Sequence, residues 1–509
     1  AEGDGDRAAA LNRLVALERE VAEGLATRVR GAATRGDAGT CFTFIDQLHA
    51  LARDARGSGP KEVVATLSVP FTVELDSRLA VLAINRNGAP AVVVRAPQGV
   101  AGAWRHPIDW NIAESLGVTV SRTGFAPQSF TISLAARRIT AQIALVRGAR
   151  WRVELGAGPA SAPTLIPGAV LVGTNRATLE IIDPAQGVSR PVSFPDSVAE
   201  VAAAPAIFAG RCYLAFDDRL HAVDLGGRAR LWSWPGSGNA ERRRLTGHVV
   251  VAEHDLIQGQ TLICAGAGRG EVLILAPSAD GAVVVYPSAR VGSEITGQLA
   301  LDRPDSARSV LYVPAGTVLH AFDMSAVTER SPPAPLFTAR TRGDLIGTPV
   351  PATVLGTPCL LISDASGLVQ AIDRRPGVVD GKRIVASWAV DGTAPSTPTL
   401  SADGAFAFVA TAEGRVQCLD LRKSGATRWR APLKGGSLGS LVGPPALGRR
   451  GLYVADANGL LHSLDLGSGE VRWKADLGGA AIGGCLASDG RVIIPTRNGQ
   501  VVCFEEGEE

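Results

Sequence analysis

Residues 149–155 read Ala-Arg-Trp-Arg-Val-Glu-Leu, and the phrase returns at 427–433 as Thr-Arg-Trp-Arg-Ala-Pro-Leu and at 471–477 as Val-Arg-Trp-Lys-Ala-Asp-Leu. In the later copies the Trp strand ends a repeat. Trp151 instead stands before the first full repeat, and the last repeat, ending at Val501-Val502-Cys503-Phe504, has no Trp strand of its own. The missing strand is therefore expected from Trp151. That closes the repeats into a ring and leaves no open sheet edge between the last and the first, the arrangement of a circular β-propeller.

The spacing of the repeats agrees, since propeller blades recur at about 40–50 residues. An apolar strand, a Gly or Asn turn and a second strand lead in turn to Asp183, Asp224, Asp323, Asp373, Asp420 and Asp465, with Glu505 in the last unit. The doubled gap between Asp224 and Asp323 hides a divergent repeat around Glu271 to Ser278, which gives about eight blades. Pro-marked strand starts at Pro163, Pro205, Pro349, Pro398 and Pro445 keep the same period. A chain with Gly 59, Pro 31 and 5% aromatic residues suits many short strands joined by tight turns.

The best-preserved unit runs Ser463-Leu-Asp465-Leu-Gly-Ser468-Gly469-Glu-Val-Arg-Trp473. Asp465 is expected to accept backbone N–H bonds in the turn, Gly469 to supply a permissive backbone, and Trp473 to stack on the neighbouring blade. The pattern is clear at Asp224 with Trp232 and, with one inserted residue, at Asp420, Gly425 and Trp429; Trp151 and Trp388 complete the docking set. In the blades around Asp183, Ser278 and Asp323 the Trp is absent, so docking there falls to other apolar side chains. This spacing resembles the tryptophan-docking repeat of the pyrroloquinoline-quinone (PQQ) family of propellers.

That family holds quinoprotein dehydrogenases and non-enzymatic scaffolds such as outer-membrane assembly lipoproteins, so the resemblance by itself gives no activity. In the enzymes it implies adjacent cysteines over the quinone and an acidic and amide set for calcium. No Cys-Cys pair exists among Cys41, Cys212, Cys264, Cys359, Cys418, Cys485 and Cys503. Those after the first mostly lie in apolar strand runs, where thiols act as small hydrophobes, and no C-x-x-C spacing points to a metal. Their odd count and irregular spacing argue against a disulfide framework without excluding one bridge.

Residues 1–58 and 62–148 precede the propeller, which is assigned 149–509. Leu11, Leu14, Val21, Leu25 and Val29 recur at helical spacing, and after the breaker 34–39 a second helix carries Phe44, Leu48 and Leu51. A helical hairpin or stalk is expected, with a partner-binding helix or dimer zipper as the alternative. Gly57-Ser-Gly-Pro60 is read as its end. Alternating runs at 63–67, 79–84, 92–94, 118–120, 130–132 and 143–146 fit a small β-sandwich. The stretch from Val118 through Gly124-Phe125 to Leu134 is similar to the Gly-Tyr strand of PEGA-type surface domains. It lacks the namesake Pro-Glu-Gly-Ala string, and the turn Asn85-Arg-Asn-Gly88 replaces a shorter one. Trp104 and Trp110 either cover a sandwich end or form a binding patch.

Other candidates read as structural. His221, His320 and His462 each stand three residues before a repeat Asp, so they occupy equivalent places in blades that are not neighbours, which argues against a shared metal, whose ligands must all lie within about 2–2.5 Å. Arg242-Arg-Arg244 is expected as a solvated loop, with contact to phosphate or an acidic partner as the alternative; Asp217-Asp218 as a turn; and Gly266-Ala-Gly268-Arg-Gly270 as a hairpin. No G-x-S-x-G elbow, P-loop or H-E-x-x-H occurs. A net charge of +2 provides no global field toward nucleic acid or acidic lipid, and no apolar run approaches the roughly 20 residues of a bilayer span.

The expectation is a chain without catalytic, cofactor or metal residues: helical hairpin, sandwich and eight-bladed propeller, binding a protein partner through a propeller face or its loops. Together these parts resemble the extracytoplasmic portion of bacterial membrane proteins, including Ser/Thr kinase receptors. An envelope assembly factor is the alternative, and the missing cysteine pair weighs against a quinoprotein dehydrogenase. Ala1 is not Met, which leaves room for a leader, an anchor or a further domain before it. The loops 234–246, 325–344 and 374–382 exceed the tight connections elsewhere and are the candidate binding loops.

Overall fold

The computed structural model describes residues 2–506 apart from 76–79, 87–88, 98–103, 123–124, 126, 144–146, 195–202, 217–218, 236–244, 254–259, 278–282, 306–307, 326, 393–395 and 433–436. Outside the described residues lie Gly124, Asn87, Gly88, Asp217-Asp218, Arg242-Arg-Arg244, Ser278 and the end of the strand expected at 143–146. The chain divides into two compact units, Ala1–Arg147 and Gly148–Glu509.

The first unit opens with helices α1 (Glu2–Thr34) and α2 (Ala38–Asp54), the latter begun by Asp37, whose carboxylate accepts the Thr40 N–H. Because α2 has 17 residues against 33 in α1, it covers only part of its partner. Ala22, Ala26 and Val29 are buried, whereas Leu11, Leu14 and Val21 of the expected stripe stay exposed. The segment read as the end of the helical part instead starts a third helix, α3 (Gly59–Thr66). Pro60 sits in its first turn, where a missing N–H costs nothing, and the strand expected at 63–67 is this helix. Gly57 lets the turn approach α1, since a Cβ there would lie 2.6 Å from Val15 Cγ1.

Two sheets follow. In one, the strand Ser68–Leu75 lies between Trp104–Asn111, antiparallel, and Thr140–Ile143, parallel. In the other the order is Val92–Arg95, Val81–Asn85, Leu116–Ser121 and Gln128–Ile132, all antiparallel. Val69, Phe71, Val73 and Leu75 alternate inward, and Phe71 meets Phe130 across the sandwich at 6.3 Å. Trp104 and Trp110 belong to this core, with Trp110 Nε1 donating to the Glu114 carbonyl at 2.8 Å, so neither forms a surface patch.

The second unit holds eight four-stranded antiparallel sheets in a ring. Blades one to seven take their strands consecutively. The eighth is Leu486–Ser488, Arg491–Thr496, Gln500–Glu505 and then Trp151–Glu154, with Trp151 opposite Cys503. The closure read from the repeats is therefore the closure of the molecule. The divergent third blade is Leu245–Glu253, Thr261–Ala267, Glu271–Pro277 and Val283–Arg290. Buried side chains gather between blades rather than within them. One cluster joins Val170, Val172 and Ile182 of the first blade to Ile493, Val501 and Cys503 of the eighth, and seven others join the successive neighbours. Near the ring axis, Gln298 N donates to the Gly347 carbonyl at 2.9 Å, Thr348 N to Thr397 Oγ1 at 2.9 Å, and Thr399 Oγ1 to the Pro445 carbonyl at 2.6 Å. Among the described residues no helix is long and apolar enough to cross a membrane.

Candidate functional site

The repeat residues are occupied in joining blades. Trp232, Trp429, Trp473 and Trp151 stand on outer strands opposite Ala222, Cys418, Ser463 and Cys503, each two residues before the repeat acid. Trp429 Nε1 donates to the Leu466 carbonyl of the next blade at 2.9 Å, and a Cβ on Gly469 would lie 2.4 Å from the Trp429 ring. Across the closure, Trp151 Nε1 donates to the Pro184 carbonyl at 3.1 Å and its ring covers Gly187 in the same way. The receiving glycines have φ of +77° and +70°, so their conformation and their lack of a side chain are both required.

Trp388 departs from this geometry. It pairs with Val369, four residues before Asp373, and lies fully buried in the cluster between the fifth and sixth blades. No Trp ring covers Gly425, where a Cβ would meet only the Ser387 carbonyl at 3.9 Å. Asp224, Asp420 and Asp465 hold their turns: Gly227 N donates to Asp224 at 2.7 Å, Arg422 N to Asp420 at 3.0 Å, and Gly467 N and Ser468 N to Asp465 at 2.9 Å.

The histidine position is buried and polar around much of the ring, a regularity wider than the histidines alone suggested. His221 lies between Phe194 and Phe216, with ring centroids 4.8 and 4.9 Å away. Gln370 Nε2 donates to Asp364 at 3.3 Å, and His462 Nε2 meets Asp456 at 3.2 Å. All seven cysteines are free. The six in the propeller pack at blade interfaces, and burial pushes the thiols of Cys212, Cys264, Cys359, Cys418, Cys485 and Cys503 up to about 12. Among the described residues no three His, Cys, Asp or Glu side chains gather as a metal site.

Of the three long segments, 325–344 is not a loop throughout, since it contains Ala334–Arg340, the outer strand of the fourth blade. That strand and loop 374–382 flank a cleft of about 240 Å³ between the fourth and fifth blades. Its apolar surface comes from Pro304, Val310, Leu336, Phe337, Pro358 and Pro376. Arg308, Arg374 and Arg375 line it as well. Each is tied to an aspartate: Arg308 Nε lies 3.5 Å from Asp323 Oδ2, Arg375 Nη2 lies 2.6 Å from Asp373 Oδ2, and Arg374 pairs with Asp302. Burial pushes the Asp373 carboxyl up, but the bonds and charge of Arg375 and the charge of Arg383 hold it below the usual range.

Arg383 shapes loop 374–382 from inside. Its guanidinium lies 3.8 Å over the Phe337 ring and donates to the carbonyls of Asp373 at 3.1 Å, Arg375 at 3.0 Å and Val378 at 2.6 Å. Loop length pointed to one wall of this cleft, 374–377, while Leu336 and Phe337 of the other stand on a strand. The floor is contributed by two blades, and no spacing in the sequence links them. The third loop, 234–246, lies largely outside the described residues.

The family model for the outer membrane protein assembly factor BamB, built on the PQQ-like repeat, matches residues 412–508. Among solved structures, BamB from Moraxella catarrhalis is 15% identical with a TM-score of 0.51, over 70% of this chain and 99% of that one. Sqt1 from Saccharomyces cerevisiae is 13% identical with a TM-score of 0.53, over 69% and 98%. The quinohemoprotein alcohol dehydrogenase from Comamonas testosteroni is 13% identical with a TM-score of 0.51, over 71% and 77%. At these identities the likeness is one of fold. No curated protein sequence is significantly similar to the chain.

Proposed function

Starting from a propeller of PQQ-like repeats, the fold the chain displays, we propose that this protein is a non-enzymatic interaction or sensory scaffold, the extracytoplasmic region of a bacterial membrane receptor such as a Ser/Thr kinase. One observation carries the reading: the conspicuous repeat residues are consumed in blade docking, while a long loop and the outer strand of the neighbouring blade flank a cleft with an apolar floor and a guanidinium rim. Such a cleft suits a protein partner. The order of parts, helices, PEGA-like sandwich and propeller, supports the receptor form. The match of residues 412–508 to the assembly-factor model favours a second reading, a free-standing envelope assembly factor that presents the ring to a membrane protein.

A blot of fractionated native cells, probed with antibody to this chain, separates the two. A membrane band much larger than 52.6 kDa supports the receptor, and a band near that mass in the soluble envelope fraction supports the assembly factor. Recovery in the cytoplasm sinks both. Titration with PQQ and calcium tests the non-enzymatic part, for which no stable complex with its own visible absorbance is expected.

A further inference from the structure

We propose that the cleft between the fourth and fifth blades docks an extended acidic peptide segment of a partner protein, seating an apolar side chain on Leu336 and Phe337 and a neighbouring carboxylate against Arg308, Arg374 and Arg375. The inference rests on the scaffold reading and supplies the chemistry of its partner.

The charges are layered. Arg375 is 55% exposed over an Asp373 that is 5% exposed, and Arg308 is 37% exposed over an Asp323 at 16%. In these two pairs the carboxylate lies beneath and the guanidinium faces outward, whereas Arg374 and Asp302 are about equally buried, 18% and 20% exposed, so an arriving ligand first meets the donors of Arg308 and Arg375. One aspartate does not saturate a guanidinium, which carries five N–H groups in a fork suited to carboxylate. Arg374 Nε is buried with no hydrogen-bond partner among the described residues. An acceptor in the cleft is therefore better served than a donor.

Size and surface narrow the class further. About 240 Å³ falls below the roughly 300–1,000 Å³ of pockets that enclose a whole small ligand, and suits one or two side chains of a longer segment. The Leu336 and Phe337 floor needs an apolar group beside the anion. The site is also held in place before any ligand arrives, because Arg383 fixes loop 374–382 through three carbonyls and packs on Phe337.

The test uses the whole chain and a fluorescein-labelled ten-residue peptide of alternating Glu and Leu, with benzoylphenylalanine replacing one Leu. Saturable binding is expected, about tenfold or more weaker for the Gln/Leu peptide and for the R308Q/R375Q chain. Photo-cross-links should fall at Pro304, Arg308, Val310, 336–337 or 374–377. Where that variant melts at a lower temperature, Leu336→Asp, which breaks no ion pair, carries the comparison instead. Equal affinity for the two peptides, affinity unchanged by the variants, or cross-links confined elsewhere overturns the proposal. Dodecanoate displacing the peptide and binding more tightly overturns a peptide as the occupant. These outcomes do not alter the compartment and size read from the blot, so the inference and the scaffold reading fail separately.

Discussion

At Gly469 two demands meet in one residue: a φ of +77° and a Trp429 ring that would stand 2.4 Å from any Cβ. Gly490 has a similar φ of +73° with nothing within 4 Å. The pair separates backbone strain from blade docking. Gly490→Ala is expected to cost the strain alone, about 1–2 kcal/mol, and Gly469→Ala clearly more, because the ring must move off the turn. Urea unfolding of both variants measures the difference, and equal losses would show that the Trp429 contact contributes little. Trp388 joins its blade to the next by a different geometry. As a tryptophan near the end of a repeat it matched by type, yet a longer turn after Asp373 carries it two positions past the docking place and into the interblade core.

Among the elements, the ring strands were legible because the same residues recur wherever blades meet, so each copy reinforces the others. The sandwich had no such repetition. Its strand Ser68–Leu75 carries Pro70, which argues against a central strand, yet pairing with Thr140–Ile143 begins only at Thr72 and leaves the edge beside Pro70 open. Pro107 similarly interrupts Trp104–Asn111, which lies at a sheet edge. Pro60 looks like a stop in the sequence, but its place in the first turn of α3 makes it a start. One wall of the cleft was legible, since loop 374–382 marks itself by its length, but the strand Ala334–Arg340 across from it does not.

The closing strand Trp151–Glu154 offers the sharpest test at this scale. Trp151→Ala removes a half-buried ring, so its cost should fall below the about 3–5 kcal/mol of a fully buried aromatic. Deleting residues 148–155 exposes the edge of Gln500–Glu505 and should give concentration-dependent oligomers on size exclusion. A deletion chain that stays monomeric with unchanged stability would mean the ring closes without this strand.

For the ring as a whole, the turn carboxylates act in concert. Bonds from Arg422 hold the Asp420 carboxyl below the usual carboxylate range; burial raises Asp465, but bonds from Ser468 and Gly467 outweigh it and leave it low as well. A carboxyl lowered on folding stabilises fully above its unfolded pKa, and that contribution disappears as pH falls through the folded value. Melting temperature should therefore decline from about pH 4 downward. Asp465→Asn should make that acid decline shallower while lowering the melting temperature at neutral pH. Thiol labelling tests the interfaces together. The five buried propeller thiols, Cys212, Cys264, Cys359, Cys418 and Cys503, should resist a disulfide reagent at pH 8 and react once urea opens the ring, whereas their rapid labelling without denaturant would contradict tight interblade packing.

The join between the first and last strands also sets a timetable for synthesis. Arg150 and Glu505, which form an ion pair at this join, are 355 residues apart in the chain. On the ribosome, at about 5–20 residues per second, the strand around Trp151 must wait roughly 20–70 seconds for its partner to be made. During that interval its apolar face and free edge remain available to other chains. The feature that leaves the finished ring without an open edge between its first and last blades thus leaves the nascent one exposed for nearly the whole of its translation, and a holding chaperone has that interval in which to act.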